Sequence, residues 1–330
     1  MQGNGCAVPE ALISRHVRYS GHTKLNYMAK WMILVDQMLR NAIMAIPVVA
    51  EWRCRKGRTS IPCSAGVDLL DKVAYRQYRM VTDILGESSI EGKVVGEIGP
   101  GDHIPAAMLF IGAGAKRYVA FDRFQGNISS RSAKNLYDAL FQDIHSRHRG
   151  MRDRLKAVDI IPDKFPEGYS TLIQYENRPI ESALAKYESS FDILFSYNVI
   201  EHCYDIEQFA ENSFRMLQSS GVAIHRIDFG PHDAWVKSSN PFEWLTICDP
   251  LWNLTGSRRG VPNRKRFHEI CSSLRGVGFT LDTIEKELYS EELVSAVQPI
   301  MASRFRKMPI ESLRVKTALL KCVKDKQAAL

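Results

Sequence analysis

The sequence predicts an α/β fold built on a doubly wound, mostly parallel sheet, and three observations predict it. Short apolar runs alternate with helical periodicity from residue 66 to residue 227, the pattern of repeated βαβ units. The first run, Val94 to Ile98, passes into Gly99-Pro100-Gly101-Asp102, a turn in which two glycines let the backbone approach a ligand that a Cβ would block. The second run, Tyr118 to Phe121, ends on Asp122, about twenty residues past the turn, where an acid can accept hydrogen bonds from both hydroxyls of a bound ribose.

Taken in order, residues 24–52 are rich in apolar side chains. Lys30, Asp36, Gln37, Arg40 and Asn41 gather on one side of a helical projection, and Pro47 ends or kinks the helix. No window approaches the ~18 uncharged apolar residues of a membrane-spanning helix. Two readings stay open. One is a helix lying in a membrane interface beside Arg53, Arg55, Lys56 and Arg58; the other is a helix packed on the catalytic domain or on a second copy in a homodimer. Residues 1–62 thus read as an N-terminal helical extension and 63–330 as the main domain.

A helix over 66–85 leads into the first strand, and a helix over 104–113 follows the glycine turn. A strand at 117–121 and the basic segment 130–156 come next, then a strand over Thr171 to Tyr175. A strand at 191–196, a helix at 205–218 stopped by Gly221, and a strand over Val222 to Ile227 continue the alternation. Residues 231–266 break it with Trp235, Trp244, Trp252 and four prolines. An insertion after a fifth strand projects over the carboxyl edge, where ligands bind. It reads as a substrate lid or, equally, as a small hydrophobic cluster bracing the domain. Phe267 to Leu274 is helical in pattern.

A hydrophobic content of 45% with 25% charged residues belongs to a soluble globular chain. The seven cysteines are scattered without a C-x-x-C pair, which argues against zinc ribbons and disulfide scaffolds and for a reducing cytoplasm. The N-terminus lacks the basic start and apolar core of a signal peptide, so none is expected. The net charge of +7 concentrates at residues 53–58, 147–156 and 258–266. Such clusters suit anionic lipid, nucleic acid or acidic glycans; each also reads as a solvated surface.

The glycine turn departs from the dinucleotide fingerprint. G-x-G-x-x-G fails whether counted from Gly96 or from Gly99, and Asp102 puts negative charge where a pyrophosphate needs room. The turn suits a nucleoside cofactor without phosphate. A further apolar strand runs into a polar turn at Phe191-Asp192-Ile193-Leu194-Phe195-Ser196-Tyr197-Asn198-Val199-Ile200-Glu201-His202. On E-I-G-P-G-D at 97–102, F-D at 121–122 and this third motif, the chain resembles the class I S-adenosylmethionine-dependent methyltransferases over roughly residues 65–325. The resemblance implies a Rossmann-like, seven-stranded sheet, with Thr280 to Glu285 and Arg314 to Val323 supplying the closing antiparallel strands. It implies cofactor contacts from Glu97, Gly99, Pro100, Gly101, Asp102, Asp122, Arg123 and Asn198. The commonest family pattern has a third glycine where this chain has Asp102.

Methyl transfer to a neutral oxygen or nitrogen needs a base for the acceptor's proton. Glu201 and His202 follow the fourth strand; Asp228 and His232 follow the fifth in His225-Arg226-Ile227-Asp228-Phe229-Gly230-Pro231-His232. These four are the catalytic candidates. Strand alternation sends His225 and Ile227 to one face and Arg226 and Asp228 to the other, which makes His225 a core histidine. The segment resembles an H-x-I-D-x-x-D-H run in a subgroup of methyltransferases, whose second Asp is Pro231 here. A divalent ion held by Glu201, His202, Asp228 and His232 is the weaker alternative, since no ligand spacing of high specificity is present; no metal is expected. The expected function is methyl transfer to a small-molecule, glycan or lipid-linked acceptor, with peripheral contact at the inner face of a membrane as an option. The rivals are an RNA methyltransferase, disfavoured because no RNA-binding module is appended, and a non-catalytic cofactor-binding scaffold.

Overall fold

The computed structural model describes residues 23–46, 48–49, 52, 70–123, 126–166, 168, 171–232, 235–236, 238, 240–256 and 260–325. The basic residues at 53–58 and the start of the helix expected at 66 lie outside them. Helix α1 covers Thr23–Ile43, and a π-turn at Asp71–Tyr75 runs into α2, Arg76–Leu85. Then follow β1 (Val94–Ile98), α3 (Ala106–Gly112), β2 (Arg117–Phe121), α4 (Arg131–Arg147) and α5 (Arg149–Ala157). Next come β3 (Ile173–Glu176), α6 (Leu184–Tyr187), β4 (Phe191–Tyr197), α7 (Ile206–Met216) and β5 (Leu217–Asp228). The C-terminal part holds α8 (Asp249–Gly256), α9 (Phe267–Gly276), β6 (Phe279–Leu288), α10 (Glu291–Val297), α11 (Ser303–Arg306), α12 (Ile310–Leu313) and β7 (Val315–Lys324).

The seven strands form one sheet in the order β3-β2-β1-β4-β5-β7-β6. β1 to β5 run parallel, and β7 lies antiparallel between β5 and β6. The order reverses between β1 and β4, so a crevice opens beside the end of β1, where the glycine turn sits. β1 reads as a nearly unbroken apolar run because helices cover both faces of the sheet. On one face α3, buried along its whole length, packs with α2, α4 and α5; on the other, α7, through Phe209, and α9 pack with Phe191 and Leu320 of the sheet. Helix starts follow local chemistry: Ser130 and Asp205 accept the amides of Ala133 (3.1 Å) and Gln208 (2.8 Å).

Three expectations shift. The third strand spans Ile173–Glu176, later than Thr171 to Tyr175, because Leu172 ends its approach by pairing with the Tyr118 amide. The helix before β5 ends at Met216, and Gly221 does not stop it. Leu217 drops into the core opposite Phe191, and Gly221 sits within the strand, where a Cβ would lie 2.9 Å from the Gln218 carbonyl. The basic run at 258–266 is not a charged surface at its C-terminal end. Arg264 and Arg266 are buried. Arg264 donates to the carbonyls of Trp244 and Ile247 and to Asp249; Arg266 donates to those of Phe229 (2.8 Å), Leu313 (3.3 Å) and Val315 (3.0 Å).

A third hydrophobic cluster lies away from the sheet. Trp235, Trp244 and Trp252 are all buried in it, with Leu34 of α1, Val294 of α10 and Phe305 of α11. Their indole N–H groups find Gln37, the Pro241 carbonyl and the Pro262 carbonyl. The insertion is therefore a braced subassembly whose tryptophans form its own core.

Candidate active site

The glycine turn is held open from below. Gly99 and Gly101 adopt φ of 75° and 77°, in the left-handed region. A Cβ on Gly99 would lie 2.5 Å from Val199 Cγ2, so only glycine lets the β1 and β4 turns close on each other. The Gly99 amide donates to the Phe121 carbonyl (2.8 Å) and the Gly101 amide to Asp122 Oδ2 (2.9 Å). Asp122 thus ties the end of β2 to the turn. A carboxylate has acceptor capacity for more than one donor, so this leaves it chemically able to take a ribose hydroxyl. Pro100 and Asp102 are buried in the turn; Arg123 is exposed beside it.

Glu97 sits under the turn, fully buried. Tyr118 donates its hydroxyl to Glu97, and the Gln77 amide reaches Glu97 Oε1 at 3.1 Å when oriented to donate. Burial pushes the Glu97 carboxyl up to about 8, with the Asp122 charge adding to the rise and the Tyr118 hydroxyl opposing it. A carboxyl poised in this way is ionised by an approaching cation. His103, next to Asp102, is buried with neither ring nitrogen hydrogen-bonded among the described residues, and burial lowers its pKa. An orphaned imidazole, an acid that wants a cation and a two-glycine cradle are what a nucleoside bearing an amino-acid chain would satisfy. The residues present therefore fit S-adenosylmethionine.

The β4 turn carries the second half of the site. Asn198 has φ 56°, its amide donates to the Arg226 carbonyl (2.8 Å), and its Oδ1 meets no partner among the described residues. Glu201 is buried, and neither carboxyl oxygen makes a hydrogen bond of normal geometry. Burial drives its pKa well above the usual carboxylate range, opposed by the Glu201 and Asp228 amides. Asp228 accepts the Gly230 amide (2.7 Å) and lies 3.6 Å from His232 Nε2. Burial alone would raise Asp228, but His232, the Gly230 amide and Arg226 together hold it below its ordinary value. The His202 and His232 rings stand 4.9 Å apart. Donor atoms of Glu201, His202 and His232 lie within 4.8 Å of one another, so this trio has the chemistry to hold a divalent ion.

The structure thus brings Glu201, His202, Asp228 and His232 together at neighbouring strand ends, one strand from the glycine turn. His225 stays in the core, as alternation predicts. Its Nδ1 meets Ser196 Oγ (2.8 Å), Nε2 has no partner among the described residues, and burial depresses its pKa to about 3. Sequence reasoning missed Tyr118, His103, Gly126 and Asn263. A Cβ on Gly126 would fall 2.2 Å from the Gly101 carbonyl, so the chain after β2 lies against the glycine turn. Asn263 of the insertion donates its amide to the Glu201 carbonyl (2.6 Å) and its side chain to those of Ile200 and Cys203 (2.8 and 2.6 Å). Only Tyr118 had a readable signal, since it alternates with Val119 on the strand neighbouring Glu97.

Residues 97–225 match the family model described as a methyltransferase domain. No curated protein sequence matches the chain. Among solved structures, YcgJ of Bacillus subtilis is similar at 12% identity and TM-score 0.41, covering 75% of this chain and 99% of its own. An S-adenosylmethionine-dependent methyltransferase of Mesorhizobium loti is similar at 14% identity and TM-score 0.38, covering 71% of this chain and 92% of its own. The matched span holds the cradle and both strand-end turns, so residues 97–225 carry a methyltransferase domain, that of an enzyme which uses S-adenosylmethionine.

Proposed function

We propose that the enzyme methylates an oxygen or nitrogen of an amphipathic small-molecule, glycan or lipid-linked acceptor, working in the cytoplasm. The observation that carries this reading is the Asp228–His232–His202 cluster at the ends of β5 and β4, which supplies a base where an acceptor must lose a proton. When bound, S-adenosylmethionine supplies an electrophilic methyl group. Gly99, Gly101, Asp122 and Glu97 would hold it in the cradle. Asp228, kept ionised, places its charge 3.6 Å from His232 Nε2, beside the ring that takes the acceptor's proton. Asn263 pins the β4 turn so that His202 and Glu201 keep their place. An RNA acceptor is disfavoured by the pairing of the basic segment: Arg147 meets Asp143, Arg152 meets Asp153, and Arg154 meets Glu91.

His232→Ala and His202→Ala are expected to lower kcat by about 100- to 10,000-fold, with S-adenosylhomocysteine affinity unchanged. Methyl-labelled cofactor and fractionated lipid and glycan extracts supply the assay. Unimpaired turnover in both variants would remove the base assignment. The Glu201–His202–His232 trio favours a second reading, in which a divalent ion activates the acceptor oxygen. A chelator separates the two: the histidine-base reading expects no change, and loss restored by zinc or manganese supports the metal.

A further inference from the structure

Helix α1 is built inside out. Its inward face is largely polar and bonded: Lys30 pairs with Glu243 (3.1 Å), Gln37 accepts the Trp235 indole N–H (3.1 Å), and Asn41 donates to the Leu254 carbonyl (3.1 Å). Leu34 is the buried apolar residue among them. Its outward face is apolar. Met28, Met32, Val35, Leu39 and Ile43 follow one another at helical spacing, each between 48% and 70% exposed. The stripe runs about 22 Å along the helix from Met28 to Ile43, and Ile46, just past its end, is exposed as well. Rotating the helix would bury the stripe only by breaking the bonds of Lys30, Gln37 and Asn41. A contiguous apolar face of this kind marks a contact surface.

Charge identifies what covers it. Past Trp52 the sequence reads Arg53-Cys54-Arg55-Lys56-Gly57-Arg58, with four basic residues and no acid, in a chain of net charge +7. A second copy would bring the same run of basic residues, whereas an anionic bilayer offers the opposite charge. Trp31 and Trp52, half-exposed, have the amphipathic rings that settle at headgroup depth. No helix among the described residues is long and apolar enough to cross a membrane, so the contact lies in the plane of the surface. We propose that α1 is a peripheral anchor whose Met28–Ile43 stripe sits among the acyl chains of an anionic bilayer. The proposal stands without the acceptor assignment. It adds to that assignment because α1 rests on the insertion, and Asn263 of the insertion is bonded to the Glu201–Cys203 turn.

The test uses the full chain with phosphatidylcholine vesicles, with and without phosphatidylglycerol, carrying brominated acyl chains. Trp235, Trp244 and Trp252 are buried, so quenching reports Trp31 and Trp52 alone. Anionic vesicles are expected to bind at least about tenfold more tightly than neutral ones. Binding should weaken by about tenfold between roughly 0.1 and 0.5 M salt. The triple variant Met32→Glu, Val35→Glu, Leu39→Glu should lose binding and quenching while keeping wild-type S-adenosylhomocysteine affinity, which shows it folded. Absence of flotation and quenching with both vesicles overturns the proposal, as does binding that the triple variant retains. A dimer that the triple variant dissociates, with no vesicle binding, assigns the face to a second copy instead. None of these readouts needs turnover, so they stand or fall apart from the methyl acceptor.

Discussion

Asp122 fixes the Gly101 amide with one carboxylate oxygen, and a carboxylate has the capacity to accept a ribose hydroxyl as well. Asp122→Ala is expected to cost about 1.5–3 kcal/mol of S-adenosylhomocysteine binding, measured by calorimetry, because one partner is charged. An unchanged affinity would remove it from the site. Glu97 gives a pH signature. Near pH 7 its carboxyl, held at about 8, is largely protonated, and a bound ammonium favours the ionised form, so binding releases a proton. Affinity should rise with pH until about 8 and then level off. Calorimetry in buffers of different ionisation enthalpy should detect the proton, and Glu97→Gln should abolish it. His225 acts on stability instead. Its pKa falls from 6.5 in the open chain to about 3 in the fold, so the unfolded chain binds the extra proton between those values. Its contribution is complete above 6.5 and is lost as pH falls towards 3; denaturant titrations of His225→Leu should show a shallower acid limb. At this scale the sequence exposed acids and glycines because their chemistry is local. His103 and Asn263 stayed hidden because their meaning depends on burial and on a partner some sixty residues away.

Strands and turns were legible where composition and geometry agree. β1, β2 and β4 announce themselves as apolar runs ending on Glu97, Asp122 and the Asn198 turn, because parallel strands buried on both faces have no polar period to confuse. Gly99→Ala should test how tightly these turns interlock. It adds a left-handed residue without glycine's freedom and a clash with Val199, so a loss of at least about 1 kcal/mol of stability and most cofactor affinity is expected, read by thermal denaturation with and without S-adenosylhomocysteine. The beginning of β5 was misread, since Gly221 looks like a helix stop and instead sits within the strand, where the register against β4 shifts between Leu217 and Val222. The insertion was legible as an interruption, but its packing was not. Trp244→Ala or Trp252→Ala should each cost about 3–5 kcal/mol of stability as cavity mutants. If they instead changed only the acceptor KM, the tryptophans would have to line the mouth.

For the molecule as a whole, the alternation of strands and helices was enough to find the sheet, and the three ordered motifs were enough to mark the methyltransferase domain at 97–225. The placement of α1 was not readable. Its polar residues suggested a wet face, yet Gln37 and Asn41 are the buried ones. Helical periodicity shows that two faces differ and is silent on which of them the protein keeps. That decision rests on Trp235 and Leu254, two hundred residues further along the chain.

Arg266 has a bearing on how the chain is made. Its guanidinium takes the carbonyl of Phe229 from the end of β5 and those of Leu313 and Val315 at the threshold of β7. β7 itself must slot between β5 and β6 before the sheet closes. During synthesis, therefore, a buried cation in the insertion waits for carbonyls that leave the ribosome about fifty residues later. Nascent chains arrested before residue 313 has emerged should remain open to protease throughout residues 231–266, even where β1 to β4 already resist digestion. Protection of the insertion should arrive in a single step once β7 is free of the exit tunnel.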